Sequence, residues 1–367
     1  MPLDHYITLG RSGLKVSPLC LGTMTFGEDW GWGSDIETSK KVIDTYIDRG
    51  GNFLDTANIY TKGHSEKIIG DHVGKDPAKR DRLVIATKCT GNLFSGDPNG
   101  GGSGRKSMMA AVEESLRRLK TDYIDLLWSH FWDQHAPIDE LMRTVDDLVR
   151  AGKVRHFGFS DHPAWVCVQG QYEAIFRNWT PAVALQIEYS LRQRTVEGDL
   201  IPMAQQMGMG VTPWSPLGGG ILTGKYPRDK MPRGYLPKRD WSAPTEKDFD
   251  IVDVLISVAT QASGDGQNPR AVTPAQVALA WVQGKPGVSS TIIGARTMEQ
   301  LTANLDALDV TLSEAQIALL DEVSDVEQAF PHPFLDKVKT VIQGGTTING
   351  DSRDPWPLGP DNDDERH

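Results

Sequence analysis

RLVIATK (82–88) and YIDLLWSH (123–130) are two apolar runs that each stop on a polar residue, Lys88 in the first and His130 in the second. Between them Met108, Val112, Leu116 and Leu119 recur at helical spacing within 107–120, the signature of an amphipathic helix. Two strand-like runs joined by a helix read as a β–α–β unit with parallel strands. Such strands are covered on both faces, so they read as continuous apolar runs.

The unit repeats in both directions. PLCLGT (18–23), NFLDT (52–56), VRHFGFS (154–160), AVALQIE (182–188), GMGVTPW (208–214) and STIIGA (290–295) are further strand candidates with helix-like segments between them. Eight strands alternating with helices predict an α/β chain folded as a (β/α)8 TIM barrel. The alternative is a doubly wound sheet, but no glycine fingerprint follows the first strand. Before the repeat, residues 6–17 read as a hairpin turning at Gly10 and Gly13, placed to plug the bottom of the barrel. Ser107 and Thr273-Pro274 read as helix starts.

Three segments fall outside the repeat: a Gly-rich loop at 91–106, an insertion at 215–262 carrying a loop and a helix, and the C-terminal region. The expected organisation is one barrel domain over 1–325 and an extension over 326–367, whose acidic tip DNDDERH is expected to be disordered. The stretch from Gly100 to Ser107 resembles a phosphate-binding loop but fails the pattern, because Arg105 stands where glycine must precede the lysine.

With 367 residues, a net charge of −11 and a pI near 5.3, the surface repels nucleic acid and anionic membranes. Three cysteines without a CxxC pair suit a reducing compartment. No signal-like segment or membrane-length apolar run is present, so the expected location is cytoplasmic. No HExxH and no Cys/His cluster occurs, so no metal site is expected. A homo-oligomer stays open.

A parallel barrel places its strand C-termini on one face. The candidate strands end at Asp55, Lys88, His130, Ser160, Gln186, Trp214 and Gly294, with Tyr60 just beyond the first of these. Reducing a carbonyl with a nicotinamide takes a proton donor aimed at the oxygen where negative charge develops. A tyrosine serves if a lysine lowers its pKa, an aspartate keeps the lysine ionised, and a histidine orients the carbonyl. Taken together, Asp55, Tyr60, Lys88 and His130 supply these groups. Singly, each has a plainer reading as a helix cap, a surface lysine or a core histidine.

GLKVSPLCLGTMTFG (13–27), FLDTANIY (53–60), ATK (86–88), SHFWD (129–133), GFSDH (158–162), LQIEYS (185–190), PWSPLGGGILTGKY (213–226) and IIGARTMEQLTANL (292–305) together resemble the aldo-keto reductase family. The resemblance runs from about residue 6 to 325, in its bacterial-type and potassium-channel β-subunit-like branch. It implies a barrel binding NADP(H) across its top. It implies Tyr60 as general acid, tuned by Lys88 and Asp55, with His130 on the substrate carbonyl. Ser160 and Gln186 would hold the nicotinamide carboxamide and Trp214 would stack on the ring. Ser215, Pro216, Leu217, Gly219 and Lys225 would line the pyrophosphate path. Gly294, Arg296, Gln300 and Asn304 would hold the adenosine end, and Thr23, Met24 and Asp55 would approach the cofactor.

Asp161 departs from the family, which often has asparagine there; an ionised carboxylate cannot donate to the carboxamide oxygen. Arg296, in place of a lysine-serine pair, suits a forked contact with a 2′-phosphate, which favours NADP over NAD. Trp30, Trp32, Phe131 and Trp132 fall on rim loops and suit an apolar pocket for a small carbonyl or alcohol substrate. Phe330, Phe334 and Trp356 are candidates to close it. The competing function is an NADPH-binding regulatory or sensor subunit like the channel β-subunits, which differ at the position of His130.

Overall fold

The computed structural model describes residues 1–226, 228, 244–264, 268, 270–360 and 362–366. The chain divides into two compact units, Met1–Ser324 and Asp325–His367.

In the first unit, β1 (Ile7–Thr8) and β2 (Lys15–Val16) form an antiparallel hairpin. Eight strands follow: β3 (Leu19–Gly22), β4 (Phe53–Asp55), β5 (Val84–Cys89), β6 (Ile124–Ser129), β7 (Val154–Ser160), β8 (Ala182–Glu188), β9 (Gly210–Trp214) and β10 (Thr291–Gly294). They pair in parallel in the order β10-β3-β4-β5-β6-β7-β8-β9. The last edge curls onto the first: Val211 bridges Val288, and Ser289 N–H donates to Val211 O at 2.8 Å. The result is a nearly closed eight-stranded barrel ringed by helices, and every strand expected from the apolar runs is present.

Alternation along the strands sorts side chains into two cores. Leu21, Leu54, Ile85, Leu127, Leu185 and Ile293 pack outward against the helices. Cys20, Phe53, Val84, Ala86, Leu126, Trp128, Ala184 and Ile292 fill the barrel. Trp128 is fully buried there. A Cβ on Gly158 would meet its ring atoms at 2.4 and 2.5 Å, so this glycine makes room for the indole.

The hairpin closes the lower end, as expected. Leu9 and Val16 join the interior core beside Phe53 and Val84. Gly10 has φ +56, and a Cβ there would lie 2.3 Å from Val183 O, so only glycine fits the close approach.

Helices cover the outside, beginning with Ile36–Asp48, which Asp35 caps by accepting from Thr38 N–H at 2.8 Å. Thr273 caps Pro274–Gln283 with a reciprocal capping box to Gln276, as expected. Ser107 does not start its helix. Arg105–Leu119 begins two residues earlier behind Gly104, and Ser107 Oγ donates to Asn99 O at 2.8 Å. The Gly-rich loop is therefore shorter than expected, and it is pinned where Ser103 N–H donates to Asp133 Oδ2 at 2.7 Å. In the insertion after β9, a 3-10 segment at Gly218–Thr223 and the helix Glu246–Ala262 are formed; residues 227 and 229–243 of it lie outside the described residues. Cys20, Cys89 and Cys167 are buried and unpaired.

The second unit contains the helix His332–Gln343 and a two-stranded antiparallel pair, Thr347–Ile348 with Asp351–Ser352. Arg353 bonds to Asp351 at 3.0 Å and Asp336 at 3.2 Å. Of the acidic run, Asp361 and His367 lie outside the described residues, and Asp363–Glu365 form a 3-10 turn. No helix among the described residues is long and apolar enough to cross a membrane.

Candidate active site

The strand alternation that fills the lower barrel with carbon fills its upper end with polar groups. Two residues above Phe53 stands Asp55; two above Ala86 stands Lys88; two above Trp128 stands His130; two above Ala184 stands Gln186. The neighbouring strands β4, β5 and β6 bring Asp55, Lys88 and His130 together, and Gln186 on β8 reaches Asp55 from across the barrel.

Lys88 is 1 % exposed and Asp55 2 %. The Lys88 ammonium makes a short ion pair with Asp55 Oδ2, and it donates to Tyr60 OH and to Thr56 O, each at 2.9 Å. Gln186 Nε2 donates to the other Asp55 oxygen at 3.0 Å. The carboxylate is thereby fixed at both oxygens. Burial opposes the Lys88 charge, but attraction to Asp55 and the bonds to Asp55 and Tyr60 override it and hold the ammonium protonated. The pair costs desolvation that hydrophobic residues would avoid, so its presence points to chemistry.

Tyr60 departs from expectation in one respect. Burial pushes its pKa up, and the pull of Lys88 opposes that push without reversing it; Asp55 adds to it. The phenol is thus firmly protonated in the free enzyme. The His130 ring stands edge-on to the Tyr60 ring, centroids 5.8 Å apart. Burial, then Lys88, push His130 well below the usual histidine range, so it is neutral. Its Nδ1 is shielded from solvent and has no partner among the described residues.

The rim aromatics form two groups. Trp30 packs edge-on to Tyr60 at 6.4 Å and against Trp32 at 5.6 Å. Phe131 stacks on His130 at 4.7 Å, and Trp132 meets Trp165 at 5.4 Å. Phe131 and Trp132, with Asp161, Glu188, Leu200 and Trp214, line a cleft of about 470 Å³; Trp30 and Trp32 do not. Trp165 and the wall built by Gln193, Thr195, Val196 and Leu200 were not expected. Their only signal in the sequence is position on segments that follow β7 and β8.

The remaining candidates occupy the same face. Thr23 is buried and donates to Asp55 O at 3.0 Å, and Met24 beside it is half-buried. Ser160 is buried with its hydroxyl 3.4 Å from Asp161 Oδ2. Trp214 is half-buried, its indole N–H donating to Asp161 Oδ1 at 3.0 Å. The chain then turns through left-handed backbone at Ser215, Gly218, Gly219 and Gly220, around buried Pro216 and half-buried Leu217. Three N–H groups of this turn are already bonded internally, Gly218 to Ser215 O, Gly219 to Ser215 Oγ and Gly220 to Leu217 O. These bonds fix the shape of the turn, and a cation at this end comes from exposed Lys225.

Beyond β10, Asn304 Nδ2 donates to Gly294 O at 3.0 Å, and Gln300 Oε1 accepts from Arg296 N–H at 2.9 Å. These two side chains hold the loop. The Arg296 guanidinium is exposed and has no carboxylate within salt-bridge distance among the described residues.

Comparison with known proteins agrees with this geometry. Residues 18–325 match the Aldo/keto reductase family. The chain is 36 % identical over 362 residues to norsolorinic acid reductase of Aspergillus flavus, covering 96 % of this chain and 89 % of that protein. It is 35 % identical over 337 residues to the aryl-alcohol dehydrogenase [NADP(+)] of Phanerodontia chrysosporium, covering 87 % and 86 %. It is 35 % identical over 338 residues to the uncharacterized oxidoreductase YrpG of Bacillus subtilis, covering 90 % and 97 %. With this match over nearly the whole barrel, the chain belongs to the aldo/keto reductase family of oxidoreductases.

Proposed function

We propose that the protein is an NADP(H)-dependent reductase of aromatic aldehydes and ketones in which Tyr60 is the proton donor. The observation that carries the reading is the hydrogen-bonded chain Gln186–Asp55–Lys88–Tyr60, with neutral His130 set against the phenol ring.

The residues fit a nicotinamide dinucleotide. Trp214 offers a flat indole, buried Ser160 and Gln186 offer polar atoms at neighbouring strand ends, and Lys225 and Arg296 offer cations beyond them. The cofactor supplies the hydride when bound. The protein's part is to hold and move one proton at Tyr60 Oη. Lys88 favours the phenolate as it forms, which lowers the cost of giving that proton to the developing alkoxide. Asp55, held by Gln186, keeps the ammonium charged and aimed. His130, uncharged, can donate a hydrogen bond to the carbonyl without competing as an acid. Exposed Arg296 supports NADP(H), whose 2′-phosphate it can grip bidentately. Trp30 and Phe131, packed on Tyr60 and His130, support aromatic substrates, as does the name of the aryl-alcohol dehydrogenase relative.

The test is NADPH oxidation at 340 nm with substituted benzaldehydes, aryl ketones and aliphatic aldehydes. Turnover with higher kcat/KM for aryl substrates supports the proposal. Tight NADPH binding without turnover across the panel would favour the sensor reading instead.

A further inference from the structure

We propose that Asp161 is a positioning residue for Trp214, whose indole plane it fixes across the mouth of the barrel. The inference deepens the proposed function and rests on it where it invokes the cofactor.

Asp161 ties four strand ends. Its N–H donates to Gln186 O at 3.1 Å and its carbonyl accepts from Trp132 N–H at 3.4 Å. Its carboxylate accepts from Trp214 Nε1 at 3.0 Å and from Ser160 Oγ at 3.4 Å. Its backbone has φ +50, a conformation only a few residue types hold without penalty, and it is retained at a strand end facing the cleft. The contact to Trp214 runs 53 residues across the sequence. A carboxylate committed to the indole is a poor carboxamide ligand, which resolves the departure from asparagine: the side chain acts on the wall of the site.

A charged acceptor binds an N–H about twice as strongly as a neutral one, so the anchor weakens on protonation. The groups facing this carboxyl are Lys88 on β5, Tyr60 beyond β4, Glu188 on β8, Ser160 beside it and Trp214 on β9. His162, two residues on, is pushed down to about 4 by burial and is neutral, and Arg192 acts on Glu188. Desolvation by the cleft walls raises Asp161, against the bonds from Trp214 and Ser160 and the charge of Lys88, to about 6. Asp161 is exposed and its bond to Trp214 lies at the surface, so solvent screens this rise and the carboxyl titrates between its usual range and about 6.

The experiment uses the full chain, with Asp161→Asn, Trp214→Phe and the double variant. Asparagine tolerates the left-handed backbone and keeps a neutral acceptor. In spectra of ¹⁵N-labelled indoles without cofactor, the signal missing from Trp214→Phe belongs to Trp214, one of ten tryptophans. Its N–H shift is expected to titrate with a midpoint raised above the usual carboxylate range and to stop titrating in Asp161→Asn. At pH 8, Asp161→Asn is expected to weaken NADPH binding about fivefold, and to change it by less than about twofold when Trp214 is already phenylalanine. Comparing proteins at each pH cancels the cofactor's own phosphate titration. An indole signal indifferent to Asp161, or equal loss of affinity in both backgrounds, overturns the proposal. If the indole titrates with Asp161 while Trp214→Phe and Trp214→Ala both bind NADPH as wild type does, the anchor stands and the stacking role of Trp214 falls.

Discussion

The lower and upper ends of the barrel interior are built from the same strands in opposite chemistries. Phe53, Val84, Ala86, Leu126 and Trp128 meet the hairpin plug in a core of carbon, while one step higher on those strands Asp55, Lys88 and His130 form a buried ionic cluster. The lower layer obtains its stability from apolar burial. The upper layer spends stability on holding an ammonium and a carboxylate away from water. Side-chain alternation in a barrel therefore lets one fold separate holding together from doing chemistry along a single axis.

Breaking the upper layer gives the largest effects. Lys88→Met is expected to cut kcat on the order of 10²- to 10⁴-fold and, by leaving Asp55 buried without its partner, to cost about 3–5 kcal/mol in urea unfolding. Adding Asp55→Leu to Lys88→Met should restore most of that stability and none of the activity. If the double variant is as unstable as the single one, the pair is structural and the contrast between the layers fails. In the lower layer, Phe53→Ala is expected to cost a comparable ~3–5 kcal/mol, with kcat close to wild type in the protein that remains folded.

How much of this is legible in the sequence follows from the same geometry. Strands covered on both faces leave unbroken apolar runs, so RLVIATK and YIDLLWSH mark themselves, and a polar residue closing such a run stands out. That is why Asp55, Lys88 and His130 are legible as strand-end polar residues. The Gln186–Asp55 and Trp214–Asp161 bonds join residues 131 and 53 positions apart and leave no local pattern. The cleft wall at Gln193 and Leu200 hides in a loop and a helix start of ordinary composition. The helix start slipped from Ser107 to Arg105 because Gly104 takes the cap position without a side-chain bond. The net direction of the Tyr60 shift depends on packing around the phenol, which only the folded chain defines.

A middle-sized effect sharpens the contrast inside the lower layer. Gly158→Ala puts a methyl against the Trp128 ring and is expected to cost about 1–3 kcal/mol, read as a lower Tm. A neutral result would mean that the indole has room to move and that the lower core is not close-packed.

The smallest effect concerns pH. His130 is held neutral when folded, and its folded pKa lies below its unfolded one. The unfolded chain therefore takes up the proton first, and this contribution is present above about pH 6.5 and is lost as pH falls below it. His130→Gln should remove part of the acid-side decline in Tm. Identical Tm profiles below pH 6.5 would place His130 in water, outside the upper layer.

The central claim is that the upper layer is assembled around the Tyr60 proton, and Tyr60→Phe tests it with one pair of numbers: kcat for an aryl aldehyde and the dissociation constant for NADPH. The account predicts a fall in kcat on the order of 10²-fold or more with NADPH affinity unchanged. Turnover near the wild-type rate, with NADPH still bound, would contradict it.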